Sequence, residues 1–193
     1  LITGSYRSGT EYITQLIGCH PNISATMYQV NVFRYLKDKI PQLHDKNYSR
    51  KVIEYLSEIS KVRGYNLNYD IEEIVNRVQQ HEVINECVIY DEVMSYFYIK
   101  EDLGIYQWAE KCQLLWRELE YFIRCMRNGY GVHIIRDPRS VLASFKNFTN
   151  AKHPLYLTSI FNSLDSLKFF SSHSKNPKIT TLKFEDVLLD EHR

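Results

Sequence analysis

Apolar residues recur along this chain in two rhythms. Leu1-Ile2-Thr3-Gly4 and Gly131 to Ile135 are short apolar runs bounded by turn residues, and both read as buried strands. Ile179 to Phe184 reads the same way, and a further short strand is expected around Tyr106 to Glu110. Elsewhere the period is helical. Ile13, Leu16 and Ile17 predict an apolar helix face over residues 10–19, ended by His20-Pro21-Asn22. Residues 27–105 read as mostly helical: Val52, Tyr55, Leu56 and Ile59 keep helical spacing, as do Ile71, Ile74, Val75 and Val78 after the capping pattern Asp70-x-x-Glu73. Leu115, Leu119, Phe122 and Met126 mark another helix, closed by Asn128-Gly129. Asp137-Pro138 opens the next, with Val141, Leu142, Phe145 and Phe148 as its buried face. Leu157, Ile160, Phe161 and Leu164 align on a helix over about 154–172, and a short helix follows the last strand.

Strands alternating with helices predict an α/β fold: a central, mainly parallel sheet flanked by helices, P-loop-like at its first turn, with a helical insertion over 27–105. The 193 residues, 44% hydrophobic, suffice for one core, and no repeat or linker suggests a second domain, so 1–193 is expected to be a single one. The chain begins inside a strand-like run and stops just after DVLLDEH, as expected of part of a longer protein. Open parallel sheets bind ligands at the carboxyl ends of their strands. Arg7 follows the first strand and Arg136 the one that begins at Gly131.

Charge sharpens this picture by what it removes. With 24 basic and 23 acidic side chains, nothing points to nucleic acid or an anionic membrane as partner. Any anion site must come from local arrangement. No apolar run approaches the ~18 residues of a membrane span. The cysteines, Cys19, Cys87, Cys112 and Cys125, lack CxxC spacing and read as free thiols of a reducing compartment. A cytoplasmic location is therefore expected, with a lumenal form lacking its N-terminal anchor as the alternative.

The first candidate site is Gly4-Ser-Tyr-Arg-Ser-Gly9-Thr10, between a strand and a helix. Glycine lets the backbone turn and approach a ligand closely. The free N–H groups and dipole of a helix start favour an anion. Ser8 and Thr10 add hydroxyls, and Arg7 adds a permanent charge whose fork suits phosphate or sulfate oxygens. A nucleotide triphosphatase would need Gly-Lys-Ser/Thr, but Gly9 is followed by Thr10 and Glu11. A phosphate donor working without a metal is favoured.

The second is GVHIIRDPRSVLASF, residues 131–145. Arg136 ends the apolar strand, Asp137 reads as the N-cap and Pro138 as the first helical residue. Ser144 lies beside the apolar stripe. Its hydroxyl either bonds back to the Ser140 carbonyl or helps Arg136 hold a second phosphate. Arg139 reads as a solvent-facing charge and His133 as a core histidine.

Together these segments resemble the sulfotransferases that use 3′-phosphoadenosine 5′-phosphosulfate (PAPS). Arg7-Ser8-Gly9-Thr10-Glu11 is similar to the family's 5′-phosphosulfate loop, [K/R]-S-G-T-[T/S]. Arg136 and Ser144 fall where its 3′-phosphate arginine and serine lie. HPNI (20–23), QWAEK (107–111) and TTLKFEDVLLD (180–190) also resemble family elements, with Phe184 at a tyrosine position, while residues 24–105 match nothing recognisable. The resemblance implies PAPS as donor, adenosine 3′,5′-bisphosphate as product, no metal, and in-line transfer of a sulfuryl group to a hydroxyl or amine. The acceptor is left open: a small molecule, a glycan or a peptide. It also implies that Arg7, Ser8, Gly9, Thr10, Glu11, Tyr12, Arg136 and Ser144 bind the nucleotide, with Tyr12 stacking where an adenine-contacting tryptophan often stands. Arg7 and Lys111 would serve the chemistry.

Three departures matter. Glu11 replaces a hydroxyl residue, Tyr12 replaces tryptophan, and Gln113 stands where cytosolic members carry their histidine base. The glutamate that polysaccharide-acting members carry downstream of the first loop has no counterpart in MYQVNVFRYL, residues 27–36. Glu11, Glu110 and His44 are the remaining candidates for the base. Lys111 contacts the sulfuryl group, acts as a base, or forms a salt bridge at a strand end. Tyr96-Phe97-Tyr98 reads as core before acceptor pocket. Two rival functions follow from the departures: a non-catalytic adenosine-bisphosphate binder on the same scaffold, and an unusual P-loop kinase using ATP.

Overall fold

The computed structural model describes residues 1–26, 32–39, 48–65, 67–126, 128–148, 155–173 and 175–189. The elements run β1 (Ile2–Gly4), α1 (Thr10–Gly18), β2 (Ile23–Thr26), α2 (Val32–Lys39), α3 (Tyr48–Val62), α4 (Ile71–Gln79), α5 (Glu86–Tyr98), β3 (Gln107–Glu110), α6 (Leu119–Cys125), β4 (Gly131–Ile135), α7 (Pro138–Phe148), α8 (Leu155–His173), β5 (Ile179–Lys183) and α9 (Phe184–Leu189). The fold is α/β, and among the described residues the strands pair in parallel. Two compact units emerge: Leu1–Leu16 with Lys111–Arg193, and Ile17–Glu110.

The first unit is built on the sheet β1–β4–β5. Central β4 aligns Val132 with Ile2 and Thr180, and Ile134 with Gly4 and Leu182. A central parallel strand is covered on both faces, which explains why GVHII is nearly all apolar. His133 is its polar exception: it is fully buried, and its Nε2 lies 2.7 Å from Ser166 Oγ on α8. Beyond β1, Cys112 N–H donates to the Ile2 carbonyl (2.8 Å) and Leu114 N–H to the Gly4 carbonyl (3.0 Å), so residues 111–114 run along the strand's other edge.

Helix α8 reverses an expectation. Leu157, Phe161 and Leu164 were expected to face the core, yet they are 49%, 71% and 53% exposed. Ser159, Ser163, Ser166 and Phe169 are buried instead. The small serines let the helix pack closely against α7 and β4, and Ser166 meets the hydroxyl requirement of His133. Burial on α1 likewise falls on Thr10, Ile13 and Thr14, while Leu16 is exposed.

In the second unit, α2–α5 fill the segment expected to be helical. Asp70 caps α4 by accepting from Glu73 N–H (3.0 Å). β2 pairs in parallel with β3, aligning Thr26 with Glu110. Glu110 is 1% exposed and belongs wholly to this unit's framework. It accepts from Val32 N–H (2.6 Å) and Phe33 N–H (3.2 Å) at the start of α2, and from the Tyr90 hydroxyl (2.8 Å). Its carboxylate thus caps a helix and is no candidate base. Tyr96 and Phe97 line an open cleft of about 940 Å³ in this unit. His44 lies outside the described residues.

The free-thiol expectation is overturned for half the cysteines. Cys87 and Cys125 are disulfide-bonded, whereas Cys19 and Cys112 are not in a disulfide. Among the described residues no helix is long and apolar enough to cross a membrane.

Candidate functional site

The loop from Ser5 to Gly9 leaves β1 and turns into α1. Its tightness rests on local bonds: Ser8 N–H donates to the Ser5 carbonyl (3.2 Å), and Ser8 Oγ donates to the same oxygen (2.7 Å). Ser8 is fully buried, so its hydroxyl builds the loop from beneath. Arg7 has φ 64°, a left-handed conformation uncommon outside glycine and typical of functional loops. Gly9 has φ 94°, and a Cβ there would lie 2.1 Å from the Phe184 ring. No side chain fits at that position.

Phe184, the first residue of α9, is the wedge under this loop. Its ring meets Tyr12 edge-on with centroids 5.9 Å apart. The Arg136 guanidinium lies 4.7 Å from the centroid of the same ring, a cation–π contact that fixes its plane. Arg136 Nη1 donates to the Arg7 carbonyl (3.0 Å), and Arg7 Nε donates to Ser144 Oγ (3.1 Å). Arg136 Nε is buried without a hydrogen-bond partner among the described residues. The two arginines, 129 positions apart, are therefore tied to each other.

They share one cleft of about 490 Å³. Arg7, Gly9, Thr10, Glu11 and Tyr12 line one side, and Arg136, Ser144 and Phe145 line another. Tyr6, Gln15 and Gln113 complete it. Phe145, expected in the core, instead faces this space, with its ring 6.4 Å from Tyr6. Of the residues singled out as nucleotide-binding, all but Ser8 are lining residues.

Glu11 is the carboxylate of the lining. Its side chain is 46% exposed, and Oε1 lies 3.5 Å from Lys111 Nζ, whose own side chain is 6% exposed. The salt-bridge reading of Lys111 is thus realised. Gln113 Nε2 donates to Thr10 Oγ1 (3.2 Å). Outside the cleft, Asp137 accepts from Arg139 N–H (2.8 Å), the bond of an N-cap, and pairs with the exposed Arg139 side chain. Those Arg139 hydrogen bonds hold the Asp137 carboxyl down at about 2. Asp137 N–H is taken by Glu185 Oε1 (3.0 Å), which ties α7 to α9. Among the described residues no group of three or more His, Cys, Asp or Glu side chains is placed to hold a metal ion.

Sequence reasoning missed Phe184 as a platform, having noted it only as a substitution for tyrosine. An aromatic residue directly after an apolar strand, in a chain with a Gly-rich loop, was the available signal. Electrostatically the cleft carries two guanidinium groups, one with an unpaired buried N–H, and a carboxylate already paired with an ammonium. Such a set suits a ligand with two separated anionic groups.

The sequence profile of the sulfotransferase family matches residues 1–193. No curated protein matches the chain.

Proposed function

The chain belongs to the sulfotransferase family, and from that footing we propose that its cleft takes PAPS and passes the sulfuryl group to a hydroxyl or amine acceptor. The observation carrying this reading is the Arg7–Arg136 juncture: two cations from distant segments, bonded through Nη1 and the Arg7 carbonyl, open into one cleft. Arg7 and the loop N–H groups hold the 5′-phosphosulfate. Arg136 and Ser144, both lining the cleft, hold the 3′-phosphate. Tyr12 stacks against the adenine. The cleft volume, about 490 Å³, falls within the range of nucleotide-sized pockets.

The donor supplies an activated sulfuryl group, and the rest is positioning and charge. As the bond from sulfur to the bridging phosphate oxygen breaks, Arg7 and the start of α1 stabilise the charge growing on that oxygen. Removing one such donor typically costs about 3 kcal/mol, roughly a hundredfold in rate. A new sulfur–oxygen or sulfur–nitrogen bond forms to the acceptor, whose proton goes to Glu11. Lys111, paired with Glu11, offsets its charge beside an anionic donor. The first loop has Gly9-Thr10-Glu11 in place of the Gly-Lys-Ser/Thr of a triphosphatase, and on that ground the transfer is proposed as metal-independent.

Thermal-shift titration tests the donor. Adenosine 3′,5′-bisphosphate should stabilise the protein well beyond ATP with magnesium; the reverse order would favour the kinase. Labelled sulfate should then pass from PAPS to some member of an acceptor panel, and transfer to none would favour an inert binder. Arg136→Ala should weaken bisphosphate binding by about ten- to a hundredfold, the worth of a charged hydrogen bond. Arg7→Ala should slow transfer as well. Parent-like affinity in Arg136→Ala refutes its role. The disulfide-bonded Cys87 and Cys125 further favour an oxidising compartment over the cytoplasm. Alkylation without reductant should then label Cys19 and spare Cys87 and Cys125.

A further inference from the structure

We infer that Gln113 is a positioning residue: its amide holds the Thr10 hydroxyl so that the threonine proton points at the anion in the cleft. The inference rests on the donor reading above and deepens it. A hydroxyl has one proton to give and two lone pairs to receive with. Gln113 Nε2 donates to Thr10 Oγ1 (3.2 Å), so one lone pair is occupied and the proton remains to be given. Thr10 is the first residue of α1, 2% exposed, and lines the cleft at the end where the helix dipole favours an anion. One turn on, Thr14 shows the default fate of such a hydroxyl: its Oγ1 donates back to the Thr10 carbonyl (2.7 Å). Gln113 secures Thr10 as a donor to ligand.

The placement of Gln113 is built into the backbone. On one side Cys112 N–H is bound to Ile2, and on the other Leu114 N–H is bound to Gly4. Leu115 N–H donates to Thr3 Oγ1 (3.0 Å). Leu114 has φ 63°, a left-handed conformation that a leucine adopts only when its surroundings impose it. Three residues pinned along β1, one of them strained, present the glutamine side chain over the start of α1. A carboxylate at 113 would reverse the bond by accepting the Thr10 proton, and would add charge beside an anion. The amide does neither. What looked like a missing base is thus an anion-site residue.

The test is calorimetric titration with adenosine 3′,5′-bisphosphate. Gln113→Met keeps the volume and removes the donor, and Gln113 is only half-buried, so the fold should survive. Its affinity should fall about five- to tenfold, the worth of a hydrogen bond. Gln113→Glu should fall further, by at least about thirtyfold. Thr10→Ser should bind like the parent. In a Thr10→Val background, Gln113→Met should cause no additional loss, because the hydroxyl it orients is gone. Parent-like binding by Gln113→Met, or an undiminished loss in the Thr10→Val background, overturns the inference while leaving the donor reading intact. Failure of the parent itself to bind the bisphosphate overturns both.

Discussion

Acidification should weaken the first unit through one side chain, His133. It sits in the middle of β4 with no solvent exposure. Its ring is enclosed by Trp116 (centroids 6.2 Å apart) and Phe169 (5.3 Å), with Ser166 as its hydrogen-bond partner. His173 stacks on Phe169 and lies 3.3 Å from Glu120. Burial, and then the neighbouring His173, push the His133 pKa from 6.5 down to about 4. The unfolded chain therefore takes up a proton near pH 6.5 that the folded protein refuses until near pH 4. The stability is fully present above pH 6.5 and is lost as the pH falls toward 4. A drop from 6.5 to about 4, at about 1.4 kcal/mol for each tenfold, sets a ceiling of about 3 kcal/mol, of which about 2 kcal/mol is gone by pH 5. Urea titrations at pH 7.5 and pH 5 measure this directly in the parent and in His133→Gln, which keeps a partner for Ser166 and cannot titrate. Other groups titrate in both proteins and cancel in the comparison. The parent should lose about 2 kcal/mol more than the variant between the two pH values. Parallel losses would show that the buried imidazole is not the acid-labile element.

Gly9→Ala forces a side chain into φ 94° and against the Phe184 ring. Strain of about 1–3 kcal/mol should appear as a five- to more than hundredfold loss of bisphosphate affinity in calorimetry. Glu110→Gln keeps the shape of the cap on α2 but turns an amide N–H₂ toward groups that need an acceptor. It should lower stability by about 2–3 kcal/mol, read as a fall in the scanning-calorimetry midpoint.

Local features of the sequence were enough to read β1, β4, α7 and α4. Apolar runs, an Asp-Pro start and an Asp-x-x-Glu cap act through residues within one turn of each other, so the sequence carries their whole cause. The Gly-rich loop and both arginines were legible for the same reason: residue type and flanking elements specify an anion-binding strand end. Family membership was likewise visible in those two motifs.

What stayed hidden depends on partners far along the chain. Ile23–Thr26 is short and only half apolar, and it pairs as a strand with Gln107–Glu110. The serine face of α8 turns inward because close packing against β4 and a bond to His133 outweigh the pull of exposed leucines, a competition that helical periodicity cannot rank. Gln113 looked like the loss of a base until its amide was found on Thr10, 103 positions earlier. Sequence alone determined β1, β4, α4 and α7 and which segments carry the charge for an anion. Tertiary structure decided which hydroxyl gives its proton, which carboxylate is spent on a helix cap and which arginine rests on an aromatic ring, because each of these turns on a distance of a few ångströms between residues the chain itself keeps far apart.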